Sequence, residues 1–250
     1  MASLHFASAY PKFGTAKRPA LETAWTSSVY YYWWQYLRRH AGYKTCCELG
    51  GSGEFAELYK DFGDVHAVDF KTWWQDGNRG GRLFAEPAAD VLFGELGYEE
   101  VQKLEDWNTD AVMVVLVPLT QSKRHLMKRF DTLLTKRHSG ARGKRLQSRS
   151  LAKYKLASHF KIVSLKESLA AYDMRLAEPK KALWRIALDV GLADTVQREL
   201  KKQKFEPSAD QCNALAVAAS RAIIRASAMI TNAGMGIFPK TLRYLHDGVS

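Results

Sequence analysis

The chain has 250 residues, 46% of them hydrophobic and 25% charged, with a formal net charge of +11. These values exclude disorder along the whole chain and give enough length for one ordinary domain or two small ones. The longest charge-free apolar run, Ala111 to Leu119, falls well short of the roughly 20 residues of a spanning helix, and Arg221 and Arg225 interrupt the longer stretch Cys212 to Ile230.

Residues 1–20 read as an N-terminal arm with Pro11, Gly14 and Pro19, and without the apolar region of a secretory signal. Leu21 to His40 reads as one helix crowded with aromatics: Trp25, Tyr30, Tyr31, Tyr32, Trp33, Trp34 and Tyr36. Aromatics on every side predict burial on more than one face. Arg38, Arg39 and His40 suit its C-terminal end, and Gly42 its stop. Short helices are predicted over Glu54–Phe62, stopped by Gly63, and over Phe70–Gln75 with Trp73 and Trp74. A short strand is predicted at Leu83–Ala85, then a helix over Tyr98–Trp107.

Ala111–Leu119 is valine-rich and continuous, the pattern of a strand buried on both faces. Ser122 is the expected cap of a helix to about His138, with Leu126, Phe130, Leu133 and Leu134 as its apolar stripe. A basic loop, Ser139–Leu156, follows. Ser164 with Glu167 three residues later predicts a capping box. Helices follow over 180–190 and 193–204, separated by Gly191. A second capping box, Ser208 with Gln211, opens a long helix to Asn232. The fold expected is mainly α with a minor β component. Its parts are the arm, an aromatic-rich acidic helical module (21–120) and a basic helical region (121–250).

Charge is unevenly spread. Residues 1–120 hold 11 Lys/Arg against 16 Asp/Glu, and residues 167–250 hold 12 against 9. Residues 121–166 hold 14 Lys/Arg against Asp131 alone. Such a block repels itself unless an anion neutralises it, and nucleic acid is the commonest such partner. A solvated surface or a stretch facing acidic lipid are the alternatives. The expected phosphate contacts are Lys123, Arg124, Lys128, Arg129, Lys136, Arg137, Arg142, Lys144, Arg145, Arg149, Lys153 and Lys155. Arginine forks, interleaved serines and flanking glycines suit phosphate oxygens and carry no base information.

Leu183–Leu200 has helix-turn-helix spacing: Ala187, then Gly191 four residues on, with Ile186, Val190, Leu192 and Leu200 at the apolar positions. Its second helix would present Gln197, Arg198, Lys201 and Lys202 to nucleic acid. The same pattern fits an ordinary helical hairpin.

Other motifs point to chemistry less directly. Glu48-Leu49-Gly50-Gly51-Ser52-Gly53-Glu54-Phe55, with Asp69 downstream, resembles the glycine-rich loop of S-adenosylmethionine-dependent methyltransferases, which implies a strand before Gly50 and a cofactor above it. Tyr30–Trp34 and Trp73-Trp74 suit stacking on unpaired bases or, more simply, a core. Cys46-Cys47 reads as two small buried residues. Three cysteines give neither a disulfide framework nor a zinc site, and the seven histidines lack ligand spacing. No cofactor, no metal and no catalytic residue is expected.

Three segments resemble an uncharacterised family of bacterial proteins from integrative, phage-type and other mobile elements. They are Tyr32-Trp33-Trp34-Gln35-Tyr36-Leu37-Arg38-Arg39; Tyr59-Lys60-Asp61-Phe62-Gly63-Asp64-Val65 with Trp73-Trp74 and Leu83-Phe84-Ala85-Glu86; and Val117-Pro118-Leu119-Thr120-Gln121-Ser122-Lys123 with Ala152-Lys153-Tyr154 and Tyr172-Asp173. The resemblance implies a DNA-related role and carries over no functional residue. It weakens the methyltransferase reading, because Gly50–Gly53 lies between the resembling segments.

The expectation is a cytoplasmic, non-catalytic nucleic-acid-binding protein, DNA favoured over RNA, acting in regulation or assembly within a mobile element or defence system. Residues 21–120 would offer a surface to a partner protein. The alternatives are a nucleic-acid methyltransferase and a basic subunit of an RNA-containing complex.

Overall fold

The computed structural model describes residues 5–15, 17–86, 113, 115–137, 150–203 and 206–241. Within them the protein is mainly helical, with one two-stranded antiparallel ladder.

The aromatic run from Trp25 onward divides into two helices, α1 (Thr23–Thr26) and α2 (Val29–Leu37). Ser28 causes the division. Its backbone is extended, and its Oγ accepts the Tyr30 N–H as an N-cap while donating to the Ala9 carbonyl. Aromatic residues have only middling helix propensity, so tertiary burial holds α2 together. Seven of its nine residues are buried. Trp33 lies 5.2 to 6.1 Å from the rings of Phe62, Phe84, Tyr154 and Phe238. The expectation that these aromatics form a core is met.

Gly42 does not mark a stop. His40 restarts the chain as N-cap of α3 (Ala41–Glu48), its Nδ1 accepting the Tyr43 N–H at 3.1 Å. Gly42 lies in the first turn because a Cβ there would meet the Phe55 ring at 2.6 Å. α4 (Ala56–Phe62) ends at Gly63, whose φ of 63° favours glycine. α5 (Phe70–Gln75) is capped by Asp69, and a short 3₁₀ turn leads into α6 (Arg79–Phe84). Two adjacent glycines, Gly80 and Gly81, argue against a helix there, yet the Trp74 ring occupies the space a Cβ at Gly80 would need.

The N-terminal arm is strapped down. β1 (His5–Phe6) pairs antiparallel with β2 (Ala85–Glu86), and Pro11 and Phe13 are buried. The predicted strand at Leu83–Ala85 is therefore displaced, since Leu83 and Phe84 finish α6.

Beyond residue 112 the expected strand Ala111–Leu119 lies only partly within the described residues. Val115–Pro118 forms no strand, and Leu116 and Leu119 are 97% and 88% exposed. A strand needs a neighbour, and the one ladder among the described residues is β1–β2. The helix expected over Tyr98–Trp107 and the loop residues 139–149 lie outside the described residues. Then come α7 (Lys123–Arg137), α8 (Ile162–Ala177), α9 (Leu183–Val190), α10 (Asp194–Gln203) and α11 (Ala209–Gly234). The capping box at Ser208 and Gln211 forms with both its bonds. The one expected at Ser164 does not. α8 starts two residues earlier, and the Ser164 hydroxyl accepts from Arg225 at 2.7 Å instead.

The boundary expected near residue 120 does not separate two cores. The aromatic core takes Phe13 to Phe84 from one side of it, and Leu156, Leu165, Leu169, Met229, Ile230 and Phe238 from the other. Tyr36 donates to the Leu165 carbonyl at 2.9 Å. Arg39 grips Asp173 with two hydrogen bonds of 2.5 and 2.6 Å. A second core gathers Ala171, Ile186, Ala187, Leu192, Leu215, Ala219 and Ala222. α11 runs through both. By length and composition it passes as a membrane span, contrary to expectation. In the fold its Leu215–Ala222 stretch lines the second core and Ala226–Ala233 the first.

His40 ties this junction to pH. Its ring fills the space beside Gly234, where a Cβ would sit 2.5 Å from Nε2, and packs on Phe55 at 4.7 Å. Burial lowers its pKa below the ordinary 6.5, outweighing the opposite pull of Glu54. The neutral ring is therefore the folded form, and protonation of Nδ1 removes the cap of α3. Stability from His40 is complete above about pH 6.5 and declines as pH falls through that value toward the lower folded pKa. The urea midpoint should drop between about pH 7.5 and pH 5. His40→Asn, which caps without titrating, should reduce that drop.

Candidate nucleic-acid interface

α7 begins where Ser122 Oγ accepts the His125 N–H at 3.4 Å. At 3.6 residues per turn, Arg124, Lys128, Arg129 and Lys136 fall on the side away from Leu126, Phe130 and Leu134. All four cations are exposed, as are Lys123 and Asp131, and none of them has an ion pair among the described residues. Leu126 and Phe130 are half-buried, whereas Leu133 and Leu134 remain 39% and 37% exposed. The side chain of Arg137 and all of Arg142, Lys144, Arg145 and Arg149 lie outside the described residues.

The next stretch is held to the aromatic core. Ser150 and Ala152 are buried, and Tyr154 donates its N–H to the Leu83 carbonyl. Lys153 and the Tyr154 hydroxyl share Asp61, each at 2.6 Å. Burial and that bond raise the Tyr154 pKa. Lys153, expected to meet phosphate, is thus occupied by a carboxylate 92 residues away. Lys155 is exposed.

The α9–α10 pair has the spacing predicted for a helix-turn-helix. Gly191 caps α9 in the left-handed region at φ 87°. Ala187 is fully buried, and Val196 and Leu200 pack on the second core. Gln197 does not face outward. Its amide donates to the Ala187 and Leu192 carbonyls at 3.1 and 2.8 Å and pins the turn. Arg198 is 73% exposed and bonds its own Asp194, whose carbonyl accepts from Nε at 3.3 Å. The side chains of Lys201 and Lys202 lie outside the described residues.

The glycine-rich stretch joins α3 to α4, a helix to a helix. Helix α3, not a strand, leads into Gly50, and Asp69 is spent on the N–H and hydroxyl of Thr72. The geometry implied by a methyltransferase loop is not formed there. Cys46 and Cys47 are buried, and burial pushes the Cys47 thiol up to about 11, opposite to a nucleophile's shift.

One feature was not anticipated. The N-terminal strap and α5 enclose a shallow recess of about 480 Å³, bordered by Tyr10, Lys12, Gly14, Trp74, Gln75 and Asn78. Beside it the chain reverses, with reciprocal bonds between Thr15 and Arg18, and leaves Lys17 and Arg18 exposed. Residues 1–21 contain Lys12, Lys17 and Arg18 and no acid. That local excess was legible, but the acidic sum over residues 1–120 hid it.

The chain matches no protein-family model, no curated protein and no solved structure.

Proposed function

We propose that this protein binds nucleic acid, duplex DNA in preference to RNA, through the cationic side of α7, without catalysing a reaction. The observation that supports this most is the set Arg124, Lys128, Arg129 and Lys136, exposed on one side of one helix with no carboxylate partner among the described residues. Four such cations neutralise phosphates and release counterions. Arg142, Lys144, Arg145 and Arg149 extend the same charge along the chain. Arg198 on α10 is the remaining exposed candidate for a base edge. A role in regulation or assembly within a mobile element or defence system rests on the sequence resemblance alone.

The test is duplex DNA affinity by fluorescence anisotropy across a salt series, for the native chain and for a variant with Gln at all four α7 positions. Native affinity should fall steeply with salt. The variant should flatten the log–log slope by about 3.6, at about 0.9 per phosphate. An unchanged slope would make the α7 charge a solvated surface. Tighter binding to duplex RNA would favour the ribonucleoprotein reading.

A further inference from the structure

We propose that the recess between the N-terminal strap and α5 holds one unpaired nucleotide, its base stacked on Tyr10 above the buried edge of Trp74 and its phosphate at Lys12 and Arg18. This rests on the nucleic-acid reading above and adds to it a site for single strands on a different part of the molecule.

Three observations carry it. The first is the aromatic surface. Most rings of the core are buried and several at its margin are half-buried, whereas Tyr10 is 47% exposed and lies 5.3 Å from Phe6 in a stacked arrangement. Phe6 in turn touches Trp74, whose position is fixed by a parallel stack on Phe84 at 5.7 Å and 10°. An aromatic stack whose outermost ring is exposed is what a base needs, since every base has a π-face.

The second is the polar edge. Gln75 and Asn78 are exposed, and neither amide has a hydrogen-bond partner among the described residues. Each offers two donors and an acceptor, the complement of a base's Watson–Crick edge. Asn78 stands in the left-handed region at φ 54°, following Gly77 at φ 51°. Those consecutive left-handed residues turn the chain sharply between α5 and α6 at the border of the recess.

The third is charge. Lys12 borders the recess, and Gly14, also on its border, opens the turn that carries Arg18. A Cβ at Gly14 would lie 2.3 Å from the Arg18 carbonyl, so the tight turn depends on glycine. The nearest carboxylate in sequence to Asn78, Asp76, is tied to Arg79 at 2.6 Å. The surface therefore offers planar apolar area, amide edges and unpaired cations together, which fits a nucleotide better than a lipid or a peptide carboxylate.

The experiment uses the full chain with three probes: an oligothymidylate, a mixed-sequence DNA duplex and thymidine monophosphate. Tyr10→Ala should bind the oligothymidylate about tenfold more weakly or worse, the worth of one base on one ring, and the duplex as before. Tyr10→Phe keeps the ring and should bind as the native chain does. Ultraviolet crosslinking of the native chain to oligothymidylate should label peptides containing Tyr10 or Trp74. Equal single-strand affinity in Tyr10→Ala, with a native circular dichroism spectrum, overturns the proposal. So does labelling confined to α7, which leaves the reading of α7 standing. If neither polymer binds, the nucleic-acid reading falls. Thymidine monophosphate then decides the recess, with heat of binding lost in Tyr10→Ala supporting it and no heat overturning it.

Discussion

Trp33→Ala should lower the unfolding free energy by about 3–5 kcal/mol, a large share of the roughly 5–15 kcal/mol that a domain possesses. The indole is fully buried, and its neighbours come from four parts of the chain: Phe62 of α4, Phe84 of α6, Tyr154 of the segment before α8 and Phe238 after α11. Deleting it opens a void that these rings cannot jointly close, because each is held by further rings. Phe84 alone also contacts Tyr30, Phe62 and Trp74. Urea unfolding followed by far-ultraviolet circular dichroism measures the loss. A change below about 1 kcal/mol would mean that the aromatic core relaxes freely, against the packing expected of protein interiors.

The second large effect is expected at a glycine. Gly80→Ala places a methyl carbon 2.1 Å from the Trp74 ring. On intrinsic propensity the change would favour helix α6 by up to about 1 kcal/mol. Overpacking opposes it at about 1–3 kcal/mol and wins here, because Trp74 is boxed in by Phe6, Tyr30, Phe70 and Phe84. The variant should unfold at lower urea and show an altered near-ultraviolet tryptophan spectrum. A stabilised variant would show that the ring moves aside.

Features governed by near neighbours were legible in the sequence. Ser208 and Gln211 satisfy each other's orphan donors within one turn, so the residue pair suffices to place the start of α11. Gly191 ends α9 as predicted, because a left-handed cap needs little beyond glycine itself. The mainly helical class with a minor β component followed from the same local patterns. What escaped was fixed at a distance. Asp61 claims Lys153, and Asp173 claims Arg39 from 134 residues away. Nothing beside Lys153 in the sequence distinguishes it from Lys155. Gln197 sits on a polar-looking helix and resembles a reading residue, yet the carbonyls of Ala187 and Leu192 take its amide. His40 reads as the tail of one helix although its ring nitrogen opens the next. The exposed side of α7 was legible for a simple reason: exposed charge needs no partner to be recognised.

The way the aromatic core is closed bears on how the chain is made. Phe238 is fully buried against Trp33 and Tyr36, at 5.6 and 5.1 Å, and its carbonyl accepts the Ala157 N–H. During synthesis, the rings of α2 leave the ribosome some two hundred residues before the side chain that seals them. At roughly 5–20 residues per second, that interval lasts at least about ten seconds. A nascent chain with several unsealed tryptophans and tyrosines is a target for chaperones and for aggregation throughout that time. The aromatic core therefore cannot be completed until residue 238 has been made and has left the ribosome.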